Sequence, residues 1–144
     1  SFPGAGPMFA PRLLAALGSD RQRFASALAL QQYSGIAPVT ERSASRCWVH
    51  CRWGCPKFLR QSFHEYANES IRHSAWARAF YESQRQAGKA HGAAIRALAF
   101  KWQRIMWRCW QNRTPYNELD YLTKLQQRGS KLLELVAEPA EKVA

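Results

Sequence analysis

The chain has 144 residues, 47% of them hydrophobic, enough for one domain with a modest core. A net charge of +11 and a pI near 10.1 exclude a neutral surface and call for an acidic partner, either nucleic acid or an anionic membrane face. No run approaches the roughly 18 apolar residues of a spanning helix, and no signal peptide is recognisable. A cytoplasmic protein without a membrane partner is therefore expected, and six tryptophans favour nucleic acid as the polyanion.

Pro3-Gly4-Ala5-Gly6-Pro7 opens the chain as a glycine turn, and Ala10, Leu13, Leu14 and Leu17 then recur at helical spacing up to Gly18. Such a turn is normally entered from an earlier helix, and only Ser1 and Phe2 precede it, so an N-terminally shortened chain is expected. Ser26 is placed to cap a second helix running to Tyr33, ended by Gly35, with Pro38 preventing a restart. Between Val39 and Gly54, β-prone Val and Trp residues mix with serines and arginines, which predicts a loop or short hairpin.

Pro56 suits the first turn of a helix carrying Leu59, Phe63, Tyr66, Ala67 and Ile71 on one face. Ser74 is the expected cap of the next helix, which Gly88 stops. Ile95, Leu98, Ala99, Trp102, Ile105, Met106, Cys109 and Trp110 form the longest apolar stripe, so this helix should be central, with Lys101, Arg104 and Arg108 on its other side. Thr114-Pro115 marks a further helix start, running to Gly129, and the composition after Leu135 reads as a frayed tail.

Four groupings could carry chemistry. Gly4 and Gly6, ahead of a helix N-terminus, could present backbone amides to a DNA phosphate, although a plain turn is the commoner use of so short a motif. Ser43 and Ser45 lie between Arg42 and Arg46. A serine attacking a phosphodiester needs both activation and charge stabilisation, and arginines supply only the second. Cys47, Cys51 and Cys55, with His50 and His64, meet half of a zinc pattern, but no second well-spaced pair follows. Small buried reduced thiols are the preferred reading, with no metal assigned. Trp48, Trp53 and Trp107 lie among basic residues and are the candidate base-stacking platforms, whereas Trp102 and Trp110 belong to the apolar stripe. The carboxylates are too dispersed for a two-metal nuclease, and Glu65 and Glu69 read as a solvated pair.

Taken together, FPGAGPMFAPRLLAALG, RFASALALQQYSGIAPVTERS and CPKFLRQSFHEYA resemble the C-terminal domain of the insertion-sequence transposase family that includes the Piv DNA invertase, often written IS one-ten. The resemblance runs from Ser1 to about Ser130 and rests on order, spacing and the Gly-Ile-Ala-Pro anchor. It implies a two-part enzyme, with an N-terminal RuvC-like nuclease domain holding magnesium on acidic residues and a helical C-terminal domain bearing a serine that links covalently to DNA. It also implies a homo-oligomer at full length, a bacterial nucleoid location and, in some members, a guide RNA. The family serine stands in a Ser-Gly pair after the Ala-Pro anchor. Ser43 matches it, with Ala44 in place of the glycine, a change that removes easy access to positive φ.

The expected architecture is all-α, with a helix-hairpin-helix-like start followed by about five or six helices and a short irregular or hairpin insert. Residues 1–130 form the serine-bearing domain and 131–144 a tail. The expected function is DNA transposition or site-specific recombination, with Ser43 catalytic and Gly4, Gly6, Arg42, Arg46, Arg52, Lys57, Arg60, Arg104 and Arg108 on DNA. No cofactor is expected in this segment itself. The alternative is a helix-hairpin-helix nucleic-acid-binding module without catalysis.

Overall fold

The longest apolar stripe becomes the longest helix. A computed structural model describes residues 1–141, with side chains through residue 136, and is mainly helical. The elements are α1 (Gly6–Leu17), α2 (Ala27–Tyr33), β1 (Val39–Ser43), β2 (Arg46–His50), α3 (Lys57–His73), α4 (Ala75–Gln86), α5 (His91–Asn112), α6 (Glu118–Gln127) and α7 (Leu132–Glu141). At 22 residues, α5 is about 33 Å long. Helices α2, α3 and α4 pack along it, α1 packs on α3, and α7 lies against α4 and α6.

Trp102, midway along α5 and 0% exposed, is where these elements meet. Its ring is approached by Phe2 at 6.1 Å, Tyr66 of α3 at 5.5 Å, Trp76 of α4 at 4.6 Å and Tyr116 at 5.3 Å between centroids. A buried indole N–H needs an acceptor. Trp102 Nε1 donates to Ser70 Oγ at 2.8 Å, and Trp76 Nε1 donates to Tyr116 Oη at 2.9 Å. One side chain thus ties the N-terminal segment, α3, α4 and the approach to α6 to the central helix.

Helix boundaries follow capping chemistry more closely than proline placement. Ser26 caps α2 as expected, its Oγ accepting from the Ala29 amide at 3.1 Å. Ser74 occupies the N-cap position of α4 without capping it, because its hydroxyl donates to Glu118 Oε1 at 3.0 Å. The helix expected from Thr114-Pro115 begins only after Asn117, whose Oδ1 accepts from the amides of Leu119 and Asp120 at 2.9 and 3.3 Å. An Asn side chain satisfies orphan amides that a proline merely lacks. The frayed tail expected after Leu135 is instead part of α7, whose Leu132 is buried, and residues 142–144 lie outside the described residues.

Between α1 and α3, Arg12 donates to Glu65 Oε2 at 2.6 Å, while Gln61 donates to Oε1 at 2.6 Å. Glu69 accepts from His73 at 3.0 Å. The two glutamates expected to be a solvated pair are therefore tied up in local contacts. The hydrogen bond from Gln61, then that from Arg12, holds the Glu65 carboxyl below its usual value of 4.5.

Replacing Trp102 with alanine should lower unfolding stability by about 3–5 kcal/mol, read as an earlier urea midpoint, with the loss of the Ser70 partner adding to the cavity. Because the folded pKa of Glu65 is depressed, its contribution is full above its unfolded value of 4.5 and is lost as pH falls through the lower folded value. Melting temperatures measured from pH ~7 down to ~3 should show this acid-side loss, and Arg12→Ala should shrink it.

Candidate nucleic-acid interface

The chain leaving α2 is fixed before it becomes a strand. Ser34, Gly35, Ile36 and Ala37 are buried, and the Ile36 and Ala37 amides both donate to the Gln31 carbonyl at 3.1 and 2.8 Å. Gln31 Nε2 in turn donates to the Phe100 carbonyl of α5 at 2.7 Å, and Gln103 Nε2 donates to Ser34 Oγ at 2.7 Å. Gly35 sits at φ +73°, where a β-carbon would collide with Cys55 Sγ and lie 2.8 Å from Cys55 Cβ. Only glycine lets the strands' entry and exit pass this closely. At the exit, Arg96 of α5 donates to Cys51 Sγ.

From that base a two-stranded antiparallel hairpin projects. Only Val39 and His50, at its foot, are partly covered, and every strand residue between them is exposed. The short irregular or hairpin insert is thus a two-stranded hairpin, a small addition to a mainly helical chain that remains consistent with the all-α class. Ser43 pairs with Arg46 across the tip, leaving Ala44 and Ser45 as a two-residue turn with Ala44 at φ +50°. The position where the resemblance calls for glycine does adopt the left-handed conformation, and alanine carries the strain there.

Side chains alternate across a ribbon, so the register divides the hairpin into two faces. Val39, Glu41, Ser43, Arg46, Trp48 and His50 share one, and Thr40, Arg42, Cys47 and Val49 share the other. Arg46 is therefore directly opposite Ser43, while Arg42, its sequence neighbour, points away. Glu41 Oε1 lies 3.5 Å from His50 Nε2 on the serine face. Arg52 sits half-buried at the hairpin's foot, its Nε without a partner, and Lys57 and Arg60 lie on the first turn of α3. From Val39 to Arg60, Glu41 is the sole acid among five Arg or Lys residues.

The other expected contacts lie apart. Arg104 and Arg108 are exposed on α5, about 12 and 18 Å along the axis from Arg96. They form a second basic face toward α6, where Arg104 acts electrostatically on Tyr121. Gly4 is a packing glycine, since a β-carbon there would come within 2.6 Å of His73 Cδ2, whereas Gly6 opens α1 with free space around it. The Ala5 amide donates to the Phe2 carbonyl and Pro7 has none, so the turn offers few outward donors.

Four of the six tryptophans donate their indole N–H inside the fold: Trp76 and Trp102 in the core, Trp107 to the Phe24 carbonyl and Trp110 to the Gly18 carbonyl. Trp107 is thereby assigned to packing, against the expectation that it is a stacking platform, and Trp110 is half-buried. Trp48 and Trp53 are 47% and 79% exposed. The thiols are free, with Cys47 exposed and Cys51, Cys55 and Cys109 half-buried, so none is the fully buried core thiol expected. Among the described residues no three His, Cys, Asp or Glu side chains converge on a metal position.

Residues missed by the sequence reading are those that hold the hairpin, namely Gln31, Gln103 and Arg96. The available signal was Gln103, a polar residue set within the apolar phase of α5.

The transposase family described as IS116/IS110/IS902 matches residues 1–82, which include the anchor, the hairpin and α3. The chain belongs to that family. It is 36% identical over 130 residues to a mini-circle transposase protein of IS117 from Streptomyces coelicolor, covering 90% of this chain and 31% of that protein. An IS900 insertion-element protein from Mycobacterium paratuberculosis is 33% identical over 119 residues, covering 81% of this chain and 30% of that protein. An IS110 insertion-element protein from Streptomyces coelicolor is 32% identical over 100 residues, covering 69% and 24%. The transposase chain thus spans about a third or less of these curated relatives. No solved structure matches it. No helix among the described residues is long and apolar enough to cross a membrane.

Glycine at position 44 should stabilise the hairpin. Left-handed alanine costs about 1–2 kcal/mol, against about 0.5–1 kcal/mol of extra backbone freedom that glycine loses on folding. Ala44→Gly should therefore slow amide hydrogen exchange of the strand amides a few-fold, and faster exchange would show that the turn is unstrained.

Proposed function

We propose that this chain is the serine-bearing, DNA-contacting C-terminal part of an insertion-sequence transposase that cuts and rejoins DNA. The observation that carries this reading is the register of the hairpin. It sets Ser43, at the position matching the family serine, opposite Arg46 on an exposed tip in the most basic stretch of the chain. Family membership supplies the role in transposition.

Ser43 Oγ loses its proton and bonds to phosphorus, the phosphodiester bond to one strand oxygen breaks, and that oxygen leaves with a proton. Rejoining reverses the exchange on a new strand end. Arg46, within side-chain reach of Ser43 across the ribbon, stabilises the charge that grows on the non-bridging oxygens. Arg42, on the opposite face, and Arg52, Lys57 and Arg60 at the foot hold flanking phosphates, which fixes position without reading sequence. Arg104 and Arg108 bind DNA on a second face, and Gly6, with free space around it, is the glycine of the α1 turn left to approach a phosphate, Gly4 being taken up by packing on His73.

In this reading an N-terminal RuvC-like domain binds magnesium, the full-length protein is a homo-oligomer of the bacterial cytoplasm and nucleoid, and a guide RNA is a further partner. The chemistry assigned to this chain is carried by Ser43 and Arg46. The alternative is a helix-hairpin-helix module that binds DNA without catalysis, and the strained Ala44 beside the serine favours it.

A nicked suicide substrate incubated with a full-length transposase carrying this segment should yield a covalent protein–DNA adduct mapping to Ser43. Ser43→Ala should abolish it, and Arg46→Ala should slow its formation by about two orders of magnitude. Cleavage unchanged by Ser43→Ala would establish the binding-module alternative.

A further inference from the structure

Exposing an indole forgoes a large burial gain, and this protein buries or half-buries four of its six while leaving Trp48 and Trp53 in solvent. Trp48 is not exposed at random. The register places it on the serine face, across from Glu41 and diagonal to Ser43, where side chains are about 7–8 Å apart. The Glu41 carboxylate beside it is turned toward His50, and Arg46 lies on its other side along the same face.

An apolar ring flanked by a guanidinium suits a base whose own phosphate is held by that guanidinium. Such a ring can stack only on a base with an uncovered face, and in a continuous duplex both faces of every base are covered by neighbours. A ribbon lying in the major groove would read base edges with polar side chains and would gain little from an indole. The tip must instead reach the backbone with Ser43, which leaves Trp48 about one nucleotide from the phosphate that Ser43 approaches. The surrounding excess of positive charge favours a polyanion over an apolar protein partner or a second copy of this basic chain.

On the reading of Ser43 given above, we propose that Trp48 is a stacking platform for an unpaired base beside the scissile phosphate, so that the DNA taken by this hairpin is locally single-stranded rather than continuous duplex. Trp48 is then a specificity-determining residue that selects unstacked substrate. Arg46 holds the phosphate of the same nucleotide.

The test is fluorescence anisotropy of the 144-residue chain with one labelled DNA sequence in three forms: single strand, perfect duplex, and duplex with a central unpaired bubble. The unaltered chain should prefer the single strand and the bubble. Trp48→Ala should weaken both by about tenfold and leave the duplex within about twofold, and Trp48→Phe should keep most of the preference. Val49→Ala, on the opposite face, should change none of the three, and unchanged far-UV circular dichroism shows that the variants fold. Equal losses on all forms, no loss with Trp48→Ala, or a native preference for duplex would overturn the platform. Binding is read without cleavage, so failure to trap a serine adduct leaves this result standing, and loss of the platform leaves the adduct test standing.

Discussion

A single indole holds the fold together. At Trp102 the N-terminal segment, α3, α4 and the residues entering α6 all meet α5, and its N–H finds an acceptor in Ser70. The core is small, so one large side chain meeting four elements decides more of its cohesion than several separate aliphatic contacts. A rigid α5 then provides fixed anchor points along its length: Phe100 and Gln103 for the end of α2, and Arg96 for the hairpin's exit.

The hairpin is held at its foot. Gly35 against Cys55 brings the incoming and outgoing chains together, buried amides lock the Ile36-Ala37 segment to Gln31, and between Val39 and His50 every strand residue is exposed. This division of labour places precision at the base and leaves the tip in solvent. The Gly-Ile-Ala-Pro segment that supports the family resemblance is therefore part of the hairpin's mount.

Much of this was legible in the sequence where one period dominated. The α5 stripe, the Ser26 cap and the approximate span of α3 follow from helical spacing and capping preferences alone. Less was legible where two signals competed. Thr114-Pro115 looked like a helix start until Asn117 offered the better cap, and Leu132 showed that the C-terminal segment has an apolar side to bury. The serine face was not readable at all, because Arg42 and Arg46 both lie near Ser43 in sequence and spacing alone does not say which shares its face. The pairing of Ser43 with Arg46 is what shows that Arg46 shares the serine's face of the ribbon and Arg42 does not. Trp107 was misassigned for a related reason, since neighbouring arginines in sequence did not reveal that its ring leans back onto the Phe24 carbonyl.

The solvent exposure of residues 40 to 49 separates two kinds of constraint acting on one chain. Away from the strained Ala44 turn, substitutions of these exposed side chains cost the helical core little, so a screen for folded protein would pass most of them. The arm can accumulate changes without disturbing the scaffold that carries it, and a copy altered there keeps its fold.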